Sequence, residues 1–68
     1  MKIVNIQELV IGDVFAKEIK LKGRQAYEVT EVSQYGEHLT ALPRGKKDTV
    51  RISFKTYPQV YFLRNIHN

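Results

Sequence analysis

Between positions 41 and 54 the chain reads "ALPRGKKDTVRISF", which sets Arg44, Lys46, Lys47 and Arg51 against a single acid, Asp48. Lys55 follows in alternation with Arg51 and Ser53, so an extended backbone places both cations on one face. Cations grouped on one surface are what a polyanion requires, because its charges recur every few ångströms along the backbone. Tyr57 and Tyr61 lie on the next segment, and Arg64 ends it. An aromatic face beside cations stacks the bases of a single strand while its phosphates are neutralised. Tyr57 is the expected platform, whereas Tyr61 is expected to pack at the core or its rim. The competing reading of the same cations is a solvated face that also protects a sheet edge from aggregation.

The distribution of charge points to the same stretch. Before residue 44 there are five Lys and Arg against six Asp and Glu; from residue 44 onward there are six against one. The net charge of +4 therefore lies wholly in the last third of the chain, the usual footprint of an anionic partner. A second basic group, Lys17, Lys20, Lys22 and Arg24, is interrupted by Glu18 and faces Glu28 and Glu31 across a hairpin, so it is expected to be neutralised by its neighbours.

Other chemistry finds little support in the residue types. The chain has no cysteine, so a thiol nucleophile, a disulfide and cysteine-ligated zinc are excluded. Ser33 and Ser53 stand in no G-x-S-x-G turn and have no histidine beside them in sequence. His38 and His67 are the only histidines and make a poor metal set; the first is expected in a strand and the second in a frayed end. "RGKKDT" superficially suggests a phosphate-binding loop, but Thr40 stands where the first glycine is required, Lys47 where Ser or Thr is required, and a strand follows. No catalytic residue, metal or cofactor is expected, and the chain is not expected to be an enzyme.

The elements that must position the cations are short. Sixty-eight residues make one domain, 1–68, and a chain near this size buries only about 60% of the surface its unfolded form exposes. "NIQE" sets Asn5 three residues before Glu8, a variant of the capping box, and Gly12-Asp13 stops the helix early. One helical or 3₁₀ turn is expected over residues 5–10. Five strands follow: 14–21, "AYEVTEV", "HLTAL", "TVRISF" and "QVYFLR", separated by turns at "KGRQ", "SQYGE", "PRGKKD" and "KTYP". In "TVRISF", Val50, Ile52 and Phe54 are expected inside, with Arg51 and Lys55 in water.

The succession "LVIGDVF", "YEVTEV", "LTAL", "TVRISF", "VYFL" resembles the SH3-like small barrels, including KOW and Tudor-type modules. In these a Gly-Asp turn opens the first strand and a short 3₁₀ turn precedes the last, the places taken here by Gly12-Asp13 and "KTYP". A Tudor-like aromatic cage and the KOW glycine spacing are not found. The resemblance implies an all-β fold, a small five-stranded antiparallel SH3-like barrel with a short helical turn near its N-terminus, and a binding role.

The expected function is a sequence-non-specific nucleic-acid-binding module using Arg44, Lys46, Lys47, Arg51, Lys55, Tyr57 and Arg64 on DNA or RNA. The alternative is a protein-interaction module, whether a subunit or a regulator, that meets an acidic protein or forms a homodimer through the edge offered by "VYFL". No apolar run reaches the roughly 20 residues that cross a bilayer and the first residues lack a signal peptide's apolar stretch, so no membrane partner and a cytoplasmic setting are expected.

Overall fold

Apolar and polar residues alternate between turns, and the described residues form six antiparallel strands rather than five. A computed structural model describes residues 2–18, 24–33 and 35–67. The strands are β1 (Lys2–Asn5), β2 (Asp13–Ala16), β3 (Ala26–Val32), β4 (His38–Pro43), β5 (Val50–Ser53) and β6 (Gln59–Asn65). One 3₁₀ turn, Ile6–Glu8, joins β1 to β2. The sheet order is β1-β6-β2-β3-β4-β5.

Three expectations are corrected by this order. β1 is the strand that sequence reading omits: four residues are too few to display an alternation, and its partner is the last strand of the fold, with Ile3 opposite Tyr61 and Val4 opposite Val60. The sheet is not closed into a five-stranded barrel, since β1 and β5 are its edges and do not pair with each other among the described residues. Finally, the apolar run "VYFL" is no edge. It belongs to β6, which β1 and β2 flank on either side.

The local forecasts fare unevenly. β3 covers the expected "AYEVTEV", whereas β2 ends at Ala16, well short of Leu21; the strand's expected continuation and the turn centred on Gly23 fall largely on residues 19–23, outside the described residues. The helical turn forms, but Asn5 makes no side-chain cap. As the last residue of β1 it points across the strand pair, where its Oδ1 accepts from Gln59 Nε2 at 3.5 Å. The turn after β5 is closed by Tyr57 N–H donating to the Ser53 carbonyl at 3.1 Å, an α-type bond over four residues rather than the 3₁₀ spacing.

One hydrophobic cluster joins Ile6 and Leu9 to Phe15, Val29, Leu39, Ala41, Ile52, Phe54 and Val60. Laid flat, the outer strands of a six-stranded sheet would stand roughly 24 Å apart, five spacings of about 4.8 Å. Residues beside both edges meet in a single core, so the sheet coils over its own inner face. The radius of gyration, 11.0 Å, equals what a compact globule of this length has, about 10.9 Å. Ile52 and Phe54 are buried as expected, but Val50 is 38% exposed. It opens an edge strand and is covered from one side only, by β4, where it faces Ala41.

The corner before β2 ties β3 to the end of β6 and the segment after it. Gly12 has φ +95°, a conformation that side chains rarely adopt. Its N–H donates to the Val29 carbonyl at 3.0 Å and its carbonyl accepts from Ile66 N–H at 2.9 Å. Asp13, 7% exposed, accepts from Val10 N–H at 2.9 Å and from Asn65 Nδ2 at 2.7 Å. His67, expected in a frayed end, lies over Gly12, with Cδ2 2.6 Å from where a β-carbon would stand.

Candidate functional site

The loop from β4 to β5 begins as a tight turn. Lys46 N–H donates to the Pro43 carbonyl at 3.0 Å, and Gly45 takes the required positive φ of 85°. Arg44 stays tied to β3: its N–H donates to the Ala26 carbonyl at 2.9 Å, and its Nη1 lies 3.1 Å from Glu28 Oε1. A pair this exposed adds about 0–1 kcal/mol of stability, but it places a negative charge beside the guanidinium and lowers its value to a phosphate. Glu28, expected to face the Lys17–Arg24 group, stands opposite Val14 and Leu42 and pairs with Arg44. Lys20 and Lys22 lie outside the described residues.

Past Arg44 the cations of the loop and of β5 have no carboxylate partner among the described residues. Lys46, Lys47, Arg51 and Lys55 are exposed, and no described carboxylate forms an ion pair with any of them. Arg51 sits opposite Thr40 and Ser53 opposite His38, so these four side chains share the outer face of the β4–β5 pair. Lys55 follows on the turn, its N–H donating to Ser53 Oγ at 3.2 Å. Because β5 is an edge, no further strand covers this flank.

Beside these residues lies an open cavity of about 690 Å³. Arg51, His38 and Ser53 line it from the sheet, Lys55 and Phe54 from the turn after β5, Glu37 from the turn before β4, and Gln7 from the 3₁₀ turn. Gln7 follows β1, the opposite edge of the sheet, and reaches the cavity because the sheet coils. Sequence separation hides both this meeting and the approach of His38 to Ser53. That Ser/His juxtaposition makes no hydrogen bond among the described residues; the Ser53 hydroxyl accepts from Lys55 N–H.

Two expected members of the site fall away from it. Arg64 was expected to end the strand next to β5, but β6 lies between β1 and β2, and Arg64 stands opposite Val14. Tyr57 is half-buried against the core, and the Lys17 ammonium lies 4.7 Å from its ring centroid and 4.8 Å from that of Tyr27. Tyr27 in turn stacks on Phe15 with centroids 5.5 Å apart. The ring expected to receive a base thus already holds a cation. Nothing in the local sequence signals this, since Lys17, Tyr27 and Tyr57 come from three separate segments.

Among the described residues no group of three or more His, Asp or Glu side chains is placed to hold a metal ion, and no helix is long and apolar enough to cross a membrane. No protein-family model, curated protein or solved structure matches the chain.

Proposed function

We propose that this chain is a small SH3-like binding module that holds DNA or RNA by its phosphates, without sequence preference in those contacts. The observation that carries the reading is the set Lys46, Lys47, Arg51 and Lys55: four exposed cations without carboxylate partners among the described residues, on one loop, the uncovered edge strand it feeds and the turn that follows. Each cation that neutralises a phosphate releases condensed counterions, and that release supplies the affinity. Arg44 contributes less because Glu28 already faces it, and Tyr57 and Arg64 are not part of the contact. The coiled antiparallel sheet and the Gly12-Asp13 turn that opens β2 support the SH3-like kinship, with β1 as an added sixth strand. The module carries out no chemical step.

Titration with random-sequence duplex and single strands at several salt concentrations tests the reading. A linear fall of log affinity with log salt is the expected result. Absence of binding at low salt would leave the cations as edge protection alone.

One feature favours a second reading, self-association. Edge strand β1 carries Ile3 at 58% exposure, and an uncovered edge with an apolar side chain is a template for strand pairing.

A further inference from the structure

We propose that the cavity between the 3₁₀ turn and the β4–β5 pair seats one unpaired nucleobase whose edge carries adjacent N–H donors, guanine above all. The inference rests on the phosphate-binding reading and adds a preference to it. The chemistry of the lining separates a base from a phosphate. Arg51 and Lys55 suit an anion, but Glu37 lines the same cavity with a carboxylate and repels one. Glu37 is exposed, and among the described residues it forms no ion pair with either cation, so its two acceptor oxygens remain available.

A carboxylate accepts hydrogen bonds and donates none. Its best match on a nucleic acid is a pair of neighbouring donors, which guanine presents on the edge that faces its partner base in a duplex. Thymine offers one N–H between two carbonyls, and those carbonyls would face the carboxylate unfavourably. Gln7 supplies an amide able to donate and accept at once, and Phe54 an apolar wall. The flanking phosphates then fall to Arg51 and Lys55. In a duplex the donor edge is engaged in pairing, so the seat is open to single strands and unpaired loops only.

Two oligonucleotides of equal length and phosphate count serve as probes: an oligothymidine and the same strand with one central dG. Wild-type protein is expected to bind the dG strand about fivefold more tightly, the lower end of what one bidentate base contact supplies, because the cavity is open. Glu37→Gln is expected to erase that difference. The variant should fold normally, since Glu37 serves the scaffold through its backbone carbonyl, which accepts from Phe54 N–H at 3.1 Å. If the cavity takes only phosphate, the two strands bind alike and Glu37→Gln tightens both, because a repelling charge is gone; that outcome overturns the base seat and leaves phosphate binding intact. Failure of both strands to bind at low salt overturns both readings.

Discussion

Neutralising Arg51 and Lys55 together by Arg51→Gln and Lys55→Gln is the perturbation that reads the basic edge most directly. Four cations without a carboxylate partner among the described residues set the scale, and at about −0.9 per phosphate on duplex and −0.7 on single strands the wild-type slopes of log affinity against log salt are about −3.6 and −2.8. Between about 50 and 200 mM salt, duplex affinity should therefore fall about 150-fold and single-strand affinity about 50-fold. The double variant retains Lys46 and Lys47, so its duplex slope should drop to about −1.8 and the loss over the same interval to about 12-fold. Fluorescence anisotropy with a labelled random strand measures both slopes. Lys2→Gln with Arg64→Gln is the control, because it removes the same net charge from exposed positions on β1 and β6; its slope should stay near the wild-type value. Equal flattening by the two pairs would refute a localised site and leave only diffuse attraction. A change of a full phosphate equivalent on Arg44→Gln would refute the discount applied to Arg44 for its contact with Glu28.

Three further outcomes test the scaffold and its edges. Asp13→Ala strands the Val10 N–H and the Asn65 amide in a buried corner, at a cost of about 1–3 kcal/mol; thermal denaturation should show a fall of at least about 4 °C, and an unchanged midpoint would mean that the corner is not sealed. Ile52→Ala, at a 3% exposed position, should cost about 2–5 kcal/mol, whereas Val50→Ala should stay within about 0.5 kcal/mol by chemical denaturation; the reverse ranking would refute the register of β5. If β1 mediates strand pairing, sedimentation should show a dimer that grows with concentration and disappears on Ile3→Lys, while a wild-type monomer at every concentration removes the self-association reading.

What could be read in the sequence was what single strands encode by themselves. "AYEVTEV" and "QVYFLR" announce β3 and β6 because β-branched and aromatic residues fill them. The cations of the site were legible by type, and Arg51 and Lys55 by alternation. Strand order is not legible, because it depends on pairings between distant segments: that Lys2 meets Phe62 has no local signature, so neither β1 nor the interior place of β6 shows in the sequence. The same limit hid which cations are free. Arg44 resembles Lys46 in sequence, and only the β3–β4 register, with Glu28 beside Leu42, brings an acid to it. A four-residue strand such as β2 also shows too little of its alternation to mark its end.

The place of Lys17 decides how a strand can lie on this surface. Its ammonium lies over the Tyr27 and Tyr57 rings together, an arrangement of about 0.5–2 kcal/mol depending on how far the cation is desolvated. A base stacking on Tyr57 in its stead gains about 1–3 kcal/mol, but it must first displace Lys17 and return that side chain to water. The two quantities nearly cancel, so stacking at Tyr57 adds little net affinity and the aromatic face acts as scaffold. In the proposed reading, affinity then rests on phosphate neutralisation along β5 and on the cavity at its end. Both depend on the coil of the sheet, which carries Gln7, next to one edge strand, to the side of Arg51 on the other. A flatter sheet would keep every cation of the loop but lose the cavity, and with it the seat proposed for an unpaired base.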